Sequence, residues 1–390
     1  MNHLLKSELN NRLKTVQQSI VDNGADACII SSPVNIYYLC DFIFDGYLYI
    51  TPESESILFV KRPQSLDLPN IYYVRKPEQM PEYLEELGIA LPKRVMLEND
   101  YVSYSMAERI KNAFKSDTLL NASGMMRQIR SIKSSYEISI MKESAAIHTE
   151  VYKRIPDIFK IGMTDIEFQI ELEHEMRKAG SIGIFRTFGP NMDIFMGSIL
   201  AGDNAQTPSP FDFALGGGGT SPTLPLGSNG TPLQPGTTLM VDMAGNYRPI
   251  MDDMTRTFAI DHAPQQAIDA HQVSLEILHT IENEAKAGIP TANLYHLAIE
   301  IVSKHQLEPY FMGTQQQAQF IGHGVGLEIN EPPVLAPRSR DILTSGMTIA
   351  IEPKFVLPGI GPVGAENTYV IHDNHIENIT LCDESLIILK

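Results

Sequence analysis

Apolar positions in the first 125 or so residues follow two periods in turn. Residues 5–23 recur at helical spacing, while Ala27–Ser31, Tyr47–Ile50, Ser56–Val60 and Arg94–Glu98 are short apolar runs, with a helix near Glu82 before the last. Helices interleaved with such runs predict an α/β unit around a mixed sheet. A link over Ser123–Ser134, carrying Arg127, Arg130 and Lys133, leads to a long helical pattern from Glu137 to Phe159. Thr164 and Glu167 stand at capping-box spacing and predict the next helix, through Ala179. Gly202–Gly236 has no period and holds Pro208, Pro210, Gly216 to Gly219, Pro222, Pro225 and Pro235. A loop this long in a compact domain is usually functional, so it is expected to line a site. Helices over Pro264–Ala287 and Thr291–His305 follow, with Thr291 as the expected N-cap. Strands at Phe258–Ile260, Thr348–Glu352 and Thr368–Ile371 complete an α+β half, expected to be a curved antiparallel sheet backed by helices.

A chain of 390 residues exceeds what one hydrophobic core usually serves, which predicts two domains. Lys plus Arg number 30 against 47 for Asp plus Glu, a net charge of −17 that should repel phosphate backbones, so no nucleic-acid partner is expected. Cys28, Cys40 and Cys382 are odd in number and not at ligand spacing, which makes a reducing compartment, the cytoplasm, the expectation. No run is apolar enough for a signal core or a membrane span, so no membrane partner is expected. No glycine-rich nucleotide loop follows a predicted strand; Gly24 stands alone before its strand.

Five residues break apolar or glycine-rich contexts in a way that calls for a partner. Asp242 ends the run Thr238–Val241, and Asp253 follows eleven residues later across a turn holding Gly245 and Pro249. His323 lies between Gly322 and Gly324, Glu352 interrupts Met347–Ile351, and Glu366 precedes Thr368–Ile371. A lone buried carboxylate costs several kcal/mol unless paired or metal-bound. For either Asp alone the competing reading is plain: one caps the turn and the other meets Arg256. Together, two Asp, one His and two Glu suit two hard or borderline divalent ions sharing a water, with Glu352 as ligand and proton relay. Oxygen-rich ligation with one imidazole fits Mn, Co, Fe or Zn.

With these residues in order, the chain resembles the creatinase, prolidase and methionine aminopeptidase superfamily, closest to Xaa-Pro dipeptidase and aminopeptidase P. The matching motifs are Val-Asp-x-x-Gly at Asp242, Asp-x-Thr-Arg-Thr-Phe at Asp253, Gly-His-Gly-Val-Gly-Leu at His323, Ile-Glu-Pro at Glu352 and Glu-Asn-Thr at Glu366. Ser32–Leu39 is similar to a motif of the N-terminal half in those enzymes, and Arg130–Ile138 to their domain junction. The resemblance implies an N-terminal α/β domain over residues 1–128 and a pita-bread catalytic domain over 129–390. It also implies a metallopeptidase that releases an N-terminal residue from Xaa-Pro bonds, often as a homodimer.

Three positions depart from that pattern. No histidine occurs between His174 and His262, where proline-specific relatives carry one, and Pro225 or its neighbours take the approximate place. The histidine of a His-Glu-x-Pro motif is Asn330 here, before Glu331, and an arginine two positions before the last Glu is Gly364. Asn330 can donate to a substrate carbonyl but cannot carry a proton near neutral pH. Ser209, Asp212, Thr220 and Ser221 are the polar groups of the long loop that could replace the missing contacts. The losses motivate an alternative: a hydrolase or lyase of the same superfamily acting on a small-metabolite C–N or C–S bond. A third class is a peptide-binding scaffold, which retention of all five ligand types argues against.

Overall fold

Ser32 shows how local chemistry starts the first unit. Its Oγ accepts from Asn35 N, and Pro33 opens the helix Pro33–Cys40, which Asp41 ends in the left-handed region at φ 63°. The computed structural model describes residues 3–66, 68–189, 195–211 and 213–390. These fall into two units, Met1–Arg130 and Ser131–Lys390. In the first, strands β1 (Ala27–Ile30), β2 (Asp45–Ile50), β3 (Ile57–Arg62), β4 (Ile71–Tyr73), β5 (Arg94–Leu97) and β6 (Thr118–Asn121) form one mixed sheet in the order β4-β3-β2-β1-β5-β6. Its core stacks Tyr49 on Phe114, with Phe59 edge-on to Tyr49.

Glu98, just past β5, draws the Ser-Pro-x-Asn motif onto this sheet. Its carboxylate accepts from Ser31 N, Ser32 N, Ser32 Oγ and Asn35 Nδ2 at 2.5–2.7 Å. The motif therefore acts in this unit as a structural knot. The expected link at Ser123 is instead a helix, Ser123–Ser131, because Ala122, Met126 and Arg130 recur every fourth position and are buried together.

In the second unit the long pattern after Ser134 divides. Ser134 and Glu137 form a capping box that opens Ser135–Tyr152, and a separate turn, Ile155–Ile158, follows. Pro156 has no N–H with which to continue the first helix. Thr164 and Glu167 cap Asp165–Lys178 as their spacing predicts. Thr291 is not an N-cap, which corrects the expectation: it is the first helical residue of Thr291–Lys304, and its hydroxyl donates to Ser339 Oγ and Asp341 O instead.

The strands of this unit are β7 (Gly197–Ala201), β8 (Thr238–Gly245), β9 (Asp252–Ile260), β10 (Gly322–Gly324), β11 (Glu331–Val334), β12 (Thr348–Ile351), β13 (Lys354–Leu357), β14 (Gly361–Gly364), β15 (Asn367–Ile371), β16 (Ile376–Asn378) and β17 (Ile387–Leu389). They pair as β17-β9-β8-β7, β11-β10-β12-β15-β16 and the hairpin β13-β14. Strand alternation decides which side chains meet. Leu239, Val241, Met243, Met254 and Phe258 join one core, with Phe168 and Leu172 of the helix Asp165–Lys178. Ile349, Ile351, Phe355, Leu357, Val363, Tyr369 and Ile371 join another, with Ile277 and Leu278 of the helix Gln265–Glu284. The residues between them, Asp242, Asp253, Thr255, Ala350, Glu352, Lys354, Glu366 and Thr368, take the opposite faces.

Candidate metal centre

Asp242 and Asp253 share one face of the β8–β9 hairpin. Asp242 pairs in register with Thr255 and Asp253 with Ala244, so the two carboxylates are diagonal neighbours. His323 sits in β10 opposite Ala350 of β12. Its glycine neighbours allow a close backbone approach: a Cβ at Gly322 would lie 2.3 Å from Ala350 O, and one at Gly324 2.1 Å from Pro332 O. Glu352 follows β12, and Glu366 precedes β15. The five residues converge. Ligand atoms of Asp253, His323 and Glu366 lie within 4.8 Å of one another, as do those of Asp242, Glu352 and Glu366. Glu366 belongs to both groups, the arrangement of a dinuclear site.

The surrounding residues hold these carboxylates in place. Thr255 Oγ1 donates to Glu366 Oε2 at 2.6 Å. Thr368 Oγ1 accepts from Asp253 N and donates to Asp253 O, both at 2.8 Å. Arg256 does not meet either aspartate. Its guanidinium donates to Asn367 Oδ1 and to five carbonyls, those of Thr255, Glu366, Thr380, Cys382 and Asp383.

A lysine that the sequence reading passed over enters the centre. Lys354, fully buried, places Nζ 2.8 Å from Asp242 Oδ2, 2.6 Å from Glu352 Oε2 and 3.2 Å from Glu366 Oε2. The criterion that singled out Glu352, a charge in an apolar run, applies equally to Lys354 before Phe355-Val356-Leu357.

The charges divide the centre in two. Burial disfavours the Glu352 carboxylate, but Lys354 and His323 outweigh it and bring its pKa down to about 2. Burial likewise opposes the Lys354 ammonium, and Asp242, Glu352 and Glu366 more than compensate, so its pKa lies well above the ordinary value. His323, Nε2 3.4 Å from Glu352 Oε1, is raised to about 9 against its own burial. Asp253 behaves in the opposite sense: burial, then Glu366, Asp242 and Glu352, push it well above the carboxylate range. Burial pushes Glu366 up to about 8, with Lys354 opposing and Glu352 and Asp242 adding to the rise.

The donor set fits a divalent ion on the Asp253 side. Glu366 Oε1 is buried with no hydrogen-bond partner among the described residues, and it belongs with a carboxylate and an imidazole. An ion held by Asp253, His323 and Glu366 would offset the repulsion that raises Asp253 and Glu366.

Asn330 stands outside the two ligand groups. Its Oδ1 accepts from Phe188 N at 2.7 Å and its Nδ2 donates to Phe188 O at 3.0 Å. Next to it, Glu331 forms a buried ion pair with Lys133 at 2.9 Å, so the motif at Arg130 and the one at Asn330 meet in space. In the long loop, Ser209 Oγ donates to Pro225 O, Ser221 pairs with Thr223, and Thr220 is exposed. Asp212 lies outside the described residues. The glycine run allows tight loop packing: a Cβ at Gly219 would come within 2.1 Å of Leu224 O. The loop residues Ser209, Phe211, Phe213 and Gly216, with Gln317 and Phe320, line a cavity of about 350 Å³. Phe320 lies edge-on to His323, ring centres 6.3 Å apart.

An acidic cage carrying one imidazole, raised on the facing strands of an α+β unit that follows an α/β unit, defines a class of two-domain metal-dependent hydrolases. Residues 139–373 match the model of metallopeptidase family M24, and residues 12–132 that of the creatinase/prolidase N-terminal domain, so the chain belongs to metallopeptidase family M24 and has its pita-bread fold. The Xaa-Pro dipeptidase of Pyrococcus horikoshii is 25% identical over 385 residues, covering 97% of this chain and 99% of the relative. That of Pyrococcus furiosus is 25% identical over 391 residues, covering 97% and 100%. Among solved structures, an Xaa-Pro dipeptidase from Bacillus anthracis has a TM-score of 0.79 at 22% identity, covering 98% of this chain and 100% of the other. An X-Pro aminopeptidase from Thermotoga maritima has 0.78 at 21%, covering 94% and 98%. Among the described residues, no helix is long and apolar enough to cross a membrane.

Proposed function

We propose that this chain cleaves the N-terminal Xaa-Pro bond of short peptides, with residues 129–390 as the catalytic domain and 1–128 as the creatinase-like domain. The observation that carries the reading is the convergence of Asp242, Asp253, His323, Glu352 and Glu366 on one buried centre. A divalent ion there (Mn, Co, Fe or Zn) supplies Lewis acidity toward a carbonyl oxygen and makes water easier to deprotonate. Asp253, His323 and Glu366 would hold it. Glu352 is the proton relay. Held ionised by Lys354 on Oε2 and facing His323 through Oε1, it takes a proton from the attacking water and returns it to the leaving amine. Asn330 acts as a positioning residue through its two bonds to the Phe188 backbone. The cavity beside Phe320 has the volume for a short peptide side chain. The reading includes a cytoplasmic homodimer that uses neither nucleic acid nor membrane.

The resemblance to Xaa-Pro dipeptidases supports this substrate class, and a length series tests it. Metal-loaded protein is expected to hydrolyse Xaa-Pro dipeptides or longer Xaa-Pro peptides well ahead of Xaa-Ala counterparts. Absence of turnover on every Xaa-Pro length would overturn the peptidase reading. A second reading, hydrolysis or lysis of a metabolite C–N or C–S bond, is favoured by one observation: the Asn330 amide is engaged with Phe188. Turnover confined to a metabolite panel would select it.

A further inference from the structure

Among the described residues, Lys354 is the one lysine or arginine paired with the carboxylates of the acidic centre, and its place there is built in. Strand alternation in β13 sends Phe355 and Leu357 to the apolar core and Lys354, like Val356, to the other side. Directly across the hairpin is Gly364. A Cβ there would come within 3.0 Å of Lys354 Cα and 3.3 Å of its Cγ, so the absent side chain leaves room for the lysine stem. The lysine backbone is held at both ends: Met312 N donates to Lys354 O at 2.8 Å, and Ser274 Oγ to Pro353 O at 2.6 Å. The side chain has no solvent exposure through which to withdraw.

The three oxygens that Lys354 Nζ binds belong to one of the two ligand groups, Asp242, Glu352 and Glu366. Asp253 pairs with no lysine or arginine among the described residues, only with His323 at 3.9 Å. We propose that the Lys354 ammonium is the permanent second cation of this centre, so each chain takes up one divalent ion, at Asp253, His323 and Glu366. The inference rests on the metal-centre reading and refines it: two cation positions stand, and one is filled by the protein itself.

The physical reason is charge crowding. A divalent ion on Asp242, Glu352 and Glu366 would need their oxygens at about 2.0–2.2 Å, where the ammonium already sits among them. Two like charges a few ångströms apart in a water-excluded site repel strongly. Expelling the lysine into the apolar core would strand an unpaired charge. An ammonium in that position donates hydrogen bonds and balances charge, but offers no open coordination position.

The test is stoichiometry. Chelator-stripped full-length protein is titrated with Mn²⁺, bound metal is counted by equilibrium dialysis with elemental analysis, and the same samples are read by electron paramagnetic resonance. Wild type is expected to saturate at one ion per chain with the six-line spectrum of an isolated Mn²⁺. Lys354→Met, which keeps the stem and removes the charge, is expected to take two, with the broadened spectrum of a coupled pair. Lys354→Arg is expected to stay at one. Two ions in wild type overturns the proposal and leaves the metal-centre reading standing; none overturns both. A folded Lys354→Met that still takes one ion also overturns it. Should that variant not fold, the wild-type count and spectrum decide alone.

Discussion

Lys133 and Glu331, nearly two hundred positions apart, form an ion pair of 2.9 Å with both side chains almost completely buried. The lysine also lies 3.4 Å from Ser131 O, and Glu331 Oε1 accepts from Glu328 N at 3.3 Å. The pair ties the segment entering the second unit to the strand beside the metal centre.

Removing one partner leaves the other charge buried. Lys133→Met is expected to destabilise the second unit by about 3–5 kcal/mol, and Lys133→Met with Glu331→Leu to recover much of the loss. Urea unfolding of the two variants and wild type checks this; a single variant within about 0.5 kcal/mol of wild type would show the pair to be dispensable.

Arg256 donates to six acceptors, three of which, the carbonyls of Thr380, Cys382 and Asp383, belong to the C-terminal segment. A lysine cannot span them, since its three donors radiate from one atom. Arg256→Lys is expected to lose at least about 3 kcal/mol, with buried carbonyls left unpaired. Hydrogen exchange over residues 380–389 should accelerate before the rest of the unit opens.

Thr255→Val keeps the shape of a β-branched residue in β9 and deletes the hydroxyl that orients Glu366. Metal affinity is expected to fall by about 10–100-fold, with little change in thermal midpoint of the metal-free protein. Calorimetric titration with Mn²⁺ reads the first and a melt the second.

Metal itself should stabilise the fold. At a free concentration about 100 times its Kd, Mn²⁺ is expected to add about 2.7 kcal/mol, and a chelator to reverse it. Asp253→Asn should abolish the Mn²⁺-dependent rise in Tm. A rise that survives would place the ion elsewhere.

His271 sets a pH dependence away from the metal centre. Its Nε2 lies 2.8 Å from Glu384 O, and burial lowers its pKa below the ordinary 6.5. The folded state therefore binds fewer protons than the unfolded state below 6.5. The contribution to stability is complete above that value and declines as pH falls toward the folded pKa. His271→Gln, which keeps a donor for Glu384 O, is expected to flatten the pH dependence of unfolding below about 6.5. An unchanged slope would assign that dependence to other groups.

The α/β then α+β order was legible because it is local. Hydrophobic period and the Thr164 capping box act within a few residues. The helix at Ser123 has a local signal too, the fourfold spacing of Ala122, Met126 and Arg130, which prevails over the polar content of the segment. The break before Pro156 is local as well, since proline has no N–H to continue the helix, whereas the role of Thr291 depended on what its hydroxyl meets in space, Ser339 and Asp341.

The sequence by itself determined which side chains need a partner. Asp242, Asp253, His323, Glu352 and Glu366 announce themselves as polar groups in apolar or glycine-flanked strands, because burying an unsatisfied charge is too unfavourable to happen by accident. Only the tertiary structure decided which of them share one partner. Diagonal register in the β8–β9 hairpin, the Cβ-free space at Gly364 and the path of β13 bring Lys354 among three of those carboxylates. The distance between residues on different strands is set by register and packing, which composition and local period do not encode.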